Sequence, residues 1–405
     1  MNVRTGLLPL ALLPLLSLGC NNELKKQYEV TELRILGIKA DLPEVHVDLI
    51  DDWDAAHLRF DALVVNPTRA PLEFTWSFCP IESGRACVDF EEEKVSFEDI
   101  SPELGELCQW LVSNPETLQT PPQPLDEAAW EQILADLDEL AGLTLTGSAT
   151  VMESDPATLR YDLPPFPVSL FKNLPMYHCV TNLLSATAGW WPAVQLQVTD
   201  GETTVNAFKR VVLSISDLAG EDKGTFFELG LGLPLCAHTT EAECLDFVGP
   251  TDPRSSLNTN PEITNLQKSE DASSTSPFCD LTGEDPATPC DLSLPLEVLP
   301  ERPFRLRPNF APDTEQNYQA LQTDIEARRL QMVDRTEEYS VNWFHTEGTV
   351  QEPLTWRLYT KTLDTVYTPP KTPSKASEGK LWVWMVVRDQ RGGVDWAEVP
   401  LTFLH

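Results

Sequence analysis

Residues Leu381–Trp396 read LWVWMVVRDQRGGVDW. An unbroken apolar run is interrupted by the polar, glycine-rich cluster RDQRGG, and an apolar rhythm resumes at Val394. Two readings compete: a catalytic loop carrying charge at a strand end, or the turn of a β-hairpin. Sliding the chain along itself at a constant offset decides between them. VQLQVTDGETTV, Val194–Val205, falls on VWMVVRDQRGGV, Val383–Val394, without a gap. Val194, Val198, Asp200 and Val205 meet Val383, Val387, Asp389 and Val394. Both segments break at an Asp- and Gly-containing turn and restart as a second strand, Ala207–Ile215 and Asp395–Phe403. Glycine accepts positive φ and Asp closes a turn through its own side chain, so the cluster reads as a hairpin connection.

A second echo extends the repeat. EFTWSF (Glu73–Phe78) and YSVNWF (Tyr339–Phe344) each set one Trp, Trp76 or Trp343, in an alternating strand, the mark of one buried face. Entry strands are expected at Glu32–Lys39 and Glu262–Leu266, and further strands at His57–Val65 and Phe304–Arg307. A Trp on a middle strand followed by a closing hairpin resembles the immunoglobulin-like and PKD-like sandwiches of bacterial surface proteins. The resemblance implies a mainly β chain: two immunoglobulin-like β-sandwiches in tandem, at 31–218 and 261–405, joined by a connector at 219–260.

The copies differ in the middle. Trp76 lies much further from Asp200 than Trp343 does from Asp389, which predicts an insertion at about 80–165 in the first copy. Within it LDEAAWEQILADLDELAG (Leu125–Gly142) has helical spacing through Trp130, Ile133, Leu134, Leu137 and Leu140, with Asp126 at the N-cap and Gly142 at the stop. The first sandwich is therefore expected to carry a partly helical insertion, a place where function is often displayed. Gln316–Met332 shows a weaker helical stripe at Leu321, Ile325 and Leu330.

The totals bound the partners. The chain has 405 residues and a net charge of −34, which excludes nucleic acid and electrostatic docking on anionic lipid. Its 34 prolines favour many turns and short segments. At the start, Arg4 precedes the apolar run Leu7–Leu18, which is too short to span a bilayer and reads as a signal peptide over 1–19. LLSLGC, ending at Cys20, resembles the lipobox of bacterial lipoproteins. That resemblance implies diacylation of Cys20, a tether at 20–30, and anchoring in the cell envelope, at the outer membrane or cell surface, by acyl chains rather than a membrane span. The whole is similar to proline-rich myxobacterial surface lipoproteins, a likeness that brings no activity with it.

Beyond Cys20 there are eight cysteines: Cys79, Cys87, Cys108, Cys179, Cys236, Cys244, Cys279 and Cys290. An even number in an exported chain predicts disulfides, with connectivity open. Spacing favours Cys236–Cys244 and Cys279–Cys290. No CxxC pair, nucleophile elbow, phosphate loop or HExxH motif occurs. The six His are scattered, and His178 beside Cys179 and His345 near Trp343 read as structural. The acidic cluster Asp48, Asp51, Asp52 and Asp54 is a candidate Ca²⁺ site without the glycine and terminal Glu of an EF-hand loop; no other cofactor is indicated. Trp190 and Trp191 are candidate sugar-stacking rings. The leading expectation is a non-enzymatic envelope lipoprotein binding a partner, an envelope or surface protein, through loops and the insertion. Glycan recognition is the alternative, and a hydrolase with its site in the insertion stands behind it.

Overall fold

The computed structural model describes residues 27–46, 50–52, 55–79, 191–214, 257–269, 278–281, 295–312, 314–324 and 329–404 except 376 and 378, with residue 272 and strand segments at 144–146, 150–155, 158–162, 166–167 and 246–248. The first unit is built from β1 (Arg34–Ala40), β2 (Glu44–His46), β3 (His57–Leu58), β4 (Phe60–Val65), β5 (Glu73–Cys79), β6 (Thr144–Thr146), β7 (Thr150–Asp155), β8 (Thr158–Asp162), β9 (Phe166–Pro167), β10 (Ala193–Thr199), β11 (Thr204–Arg210) and β12 (Val212–Ser214). The second comprises β13 (Asp246–Val248), β14 (Ile263–Ser269), β15 (Cys279–Asp280), β16 (Leu296–Val298), β17 (Phe304–Phe310), β18 (Asn317–Asp324), β19 (Arg329–Thr336), β20 (Ser340–His345), β21 (Thr349–Val350) and β22 (Leu354–Trp356). A single short helix, α1 (Arg357–Thr360), follows among the described residues, and then β23 (Thr365–Thr368), β24 (Lys380–Arg388) and β25 (Val394–Phe403) complete the unit.

The repeat is one of topology as well as pattern. Sheet β1-β4-β8-β7 faces β11-β10-β5-β6 in the first copy, and β14-β17-β23-β21 faces β25-β24-β20-β22 in the second. Each also adds a parallel strand beside or just after its last one: β2 on β12, and β16 on β25. This is the two-sheet immunoglobulin-like arrangement, with a buried Trp on a middle strand of each copy. Trp76 stands opposite Leu196 and Trp343 opposite Met385, and Leu196 and Met385 are equivalent under the same sequence offset. The edges differ: the second copy places β21 in the opposite sheet before β22 returns to β20, the reverse of β6 and β7.

Alternation explains the two cores. Phe60, Ala62 and Val64 of β4 meet Leu196 and Val198 in the first; Val383, Met385 and Val387 meet Val341 and Trp343 in the second. The residues between them on the same strands are also buried. Leu63 and Val65 of β4 and Leu36 of β1 pack on Trp384 and Val386 of β24 and on Val394 and Trp396 of β25, forming a third core between the sandwiches. The sandwiches are thus stacked face to face. That is why Leu381–Val387 is apolar without alternation: a strand buried on both faces loses its period-two signal. Gly37 marks the closeness of the contact, since a Cβ there would meet Val386 Cγ1 at 3.3 Å and Trp396 Cε3 at 3.4 Å.

Two expectations change. Gln316–Met332 is no helix: β18 and β19 form a hairpin, with Asn317 opposite Thr336 and Asp324 opposite Arg329. A three-residue apolar stripe is too thin to hold a helix against that pairing. The rear of the expected insertion also belongs to the first sandwich, because β6 pairs with β5, and β8 with β4 and β7. What remains is 80–143, and the expected helix Leu125–Gly142 lies outside the described residues.

Candidate functional site at the junction of the two sandwiches

RDQRGG is a hairpin turn, as the repeat predicts. Asp389 Oδ1 accepts hydrogen bonds from the backbone amides of Arg391 and Gly393, both at 2.7 Å, and Gly392 takes φ 105°. Gly393 is required by proximity instead, since its Cβ would fall 2.0 Å from Asp389 Oδ2. Compared with Asp200–Thr203 of the first copy, this turn holds one residue more between paired ends, 389–393 rather than 200–203. A one-residue slip reverses the faces of the strand that follows. Val205 and Ala207 therefore pack on their own core, whereas Val394 and Trp396, their equivalents by offset, turn outward into the junction.

The turn, with Gln390 exposed and Asp389, Arg391 and Gly392 half-buried, packs among charged groups of both units. Arg391 reaches Glu44 Oε2 at 2.6 Å and Glu337 Oε1 at 3.2 Å, and lies 4.8 Å from the ring centre of Tyr318. Lys209 of β11 donates to the carbonyl of Gly392. Glu44 Oε2 also accepts from the amide of Asn258, at 2.8 Å. Beside the turn, Lys39 Nζ and Asp395 Oδ1 are 3.0 Å apart, and Arg388 donates to the carbonyl of Leu36 at 3.1 Å. Asn260 spans the junction, donating to Ala40 O at 2.7 Å and accepting from Val394 N at 3.0 Å.

Burial governs the titration of this cluster. It pushes the Glu337 carboxyl up to about 7, outweighing Arg391. It raises Asp389 above the usual carboxylate range despite the two backbone donors, and brings Lys209 down to about 8. A raised acid beside a lowered base is the profile of acid–base catalysis, but Glu337 and Lys209 are shut away from solvent. Glu337 is 2% exposed, and Lys209 and Asn258 are buried with it. Arg391 to Glu44 and Lys209 to Gly392 O tie the two sandwiches together.

The other candidates are dispersed. Asp51 and Asp52 are exposed, and Asp52 closes a turn by accepting from Ala55 N at 3.2 Å. Asp48 and Asp54 lie outside the described residues, among which no group of three or more potential metal ligands occurs. Trp191 is 39% exposed; Trp190 lies outside the described residues. Cys79 and Cys279 are each disulfide-bonded. Cys20, Cys87, Cys108, Cys179, Cys236, Cys244 and Cys290 fall outside, as does His178. His345 is buried, which lowers its imidazole to about 4. No described helix is long and apolar enough to cross a membrane. Sequence reasoning missed Glu44, Lys209, Asn258 and Glu337, which are brought together only by the stacking. A trace was legible: Lys209 sits on an otherwise alternating strand at a position that turns out to be buried.

No family model and no curated protein matches the chain. Among solved structures, it is similar to the D0–D1 domain of intimin, with TM-score 0.17 and 8% identity over 91% of this chain and 98% of that one. Extracellular domains 3–5 of Drosophila OTK give TM-score 0.15 and 8% identity over 93% and 98%. An endo-fucoidan hydrolase of glycoside hydrolase family 107 gives TM-score 0.12 and 9% identity over 63% of this chain, which spans 22% of the hydrolase. The strand order and register above, not these likenesses, establish the immunoglobulin-like fold.

Proposed function

We propose that this is an exported, non-enzymatic envelope protein, held by lipid on Cys20, that presents a stacked pair of immunoglobulin-like sandwiches and binds a partner protein through its loops and the segment 80–143. One observation carries the reading: the titratable groups with the most catalytic profile, Glu337, Asp389 and Lys209, are spent on joining the sandwiches. Rigid stacking suits display, since a surface segment held on a fixed body loses less entropy on binding than one on a hinged body. The acidic surface and the export-type start agree with it. The pairing Cys236–Cys244 and Cys279–Cys290 remains part of this proposal.

The test is crosslinking on intact producing cells followed by pull-down. It compares the full chain with a form in which 80–143 is replaced by a short turn and Cys79 by Ala. Ser77 pairs with Thr144, so the joint closes as a hairpin without disturbing either sheet. A partner captured by the full chain and lost with the replacement supports the reading; capture of the same partner by both forms moves binding to the sandwiches. Exposure of Trp191 favours a second reading, recognition of a glycan. A W191A chain that retains full glycan binding on an array removes that reading.

A further inference from the structure

Six large apolar side chains are exposed among the described residues, and three of them, Leu354 (44%), Leu358 (59%) and Tyr359 (73%), fall on β22 and α1. They lie within one six-residue stretch rather than as scattered singles, and clustered exposed apolar side chains mark contact surfaces. The stretch is held rigidly. Trp356 Nε1 donates to Glu338 at 3.0 Å, its backbone amide donates to Thr360 Oγ1 at 3.0 Å, and its ring meets Tyr359 edge-on at 4.7 Å. Arg357, ion-paired with Glu315 at 2.5 Å, and Lys361 flank these side chains.

The position of the N-terminal segment says what covers them. On the edge of β20 away from β24, Trp343 N donates to Pro353 O at 2.8 Å and His345 N donates to Tyr28 O at 3.0 Å. Glu29 bridges His345 in parallel. Tyr28 and Pro353 therefore occupy neighbouring places on one edge, about 7 Å apart along it, and Leu354 follows Pro353 directly. The chain from Cys20 to Gln27 can span at most about 25 Å. From Leu354 β22 runs along the edge to set Trp356 opposite Ser340, so α1 begins about 17 Å from Tyr28, within the reach of an anchor on Cys20.

We propose that Leu354, Leu358 and Tyr359 insert into the lipid–water interface beside the anchor, an apolar contact with Lys361 at its margin. This rests on the lipid anchor proposed above and adds the orientation in which the sandwiches stand on the membrane. Aromatic and aliphatic side chains flanked by cations are the composition of interfacial contacts. A single weak apolar contact needs a covalent anchor beside it to persist.

The test places a photoactivatable benzophenone residue at 359, or at exposed Glu202 as comparator, in the full lipid-modified chain in producing cells. The expected result is a phospholipid adduct several-fold more abundant from 359 than from 202. With the benzophenone moved to 354, L358D together with Y359S should abolish the adduct. Equal adducts from 359 and 202, or capture of a protein at 359, overturns the proposal. Labelled palmitate is followed in parallel. Incorporation at Cys20 without an adduct overturns the patch alone, whereas no incorporation overturns the anchor and the patch with it.

Discussion

At the tips of the hairpins β10–β11 and β24–β25, Asp200 and Asp389 each accept two backbone amides and titrate in opposite directions. Asp200 Oδ1 accepts from Glu202 N at 3.0 Å and Thr203 N at 2.7 Å, and those donors hold its carboxyl below the usual range. Asp389 accepts two amides just as short, yet burial raises it. The second turn is one residue longer, but both carboxyls accept two backbone donors, so the opposite direction comes from the sandwich stacked over one tip and solvent over the other. The first tip only closes a hairpin; the second closes a hairpin and joins two domains.

The largest effect should come from removing the apolar part of that joint. W384A empties the third core and is expected to cost about 3–5 kcal/mol. Denaturant unfolding should then split into two transitions, while an unchanged single transition would mean the sandwiches unfold together for another reason. Next is R391M, which leaves Glu44 and Glu337 buried without their cation, at about 3–5 kcal/mol; adding E337Q should recover part of the loss in the same assay.

Glycine substitutions sharpen the contrast between tips. G201A meets nothing within 4 Å and bears only its φ of 90°, a penalty of about 1 kcal/mol. G393A collides with Asp389 and Pro261 and should cost more, read as a larger drop in melting temperature. If the two fall equally, the second tip is not packed as described.

The pH dependence follows from burial. Glu337 binds its proton more tightly folded than unfolded, so its contribution to stability falls as pH rises from about 4.5 to about 7. Lys209 is lowered, so its contribution rises between about 8 and about 10.5. E337Q should flatten the first slope and K209M the second in unfolding measured across pH. The smallest effect separates the aspartates: D200N should destabilise at neutral pH and lose that effect in acid, whereas D389N should cost less at neutral pH than in acid.

Much of the fold was legible. The strands around Trp76 and Trp343 and both closing hairpins follow from period-two alternation and turn residues, which depend only on neighbours along the chain. Gln316–Met332 was misread because a thin stripe fits either period and only cross-strand pairing decides. The gapless match of Val205 with Val394 likewise hid the extra residue in the second turn, since both strands are apolar on whichever face they present.

Alone, the sequence determined two sandwiches, their order, and an Asp–Gly turn at the tip of each. Tertiary structure decided that the sandwiches stack and that Val394 and Trp396 face outward. It also brought Arg391 into a buried cluster with Glu44, Glu337 and Lys209. Pattern reports whether a face is buried, and never by what. Partners distant along the chain, and the dielectric they create, exist only once the two copies meet.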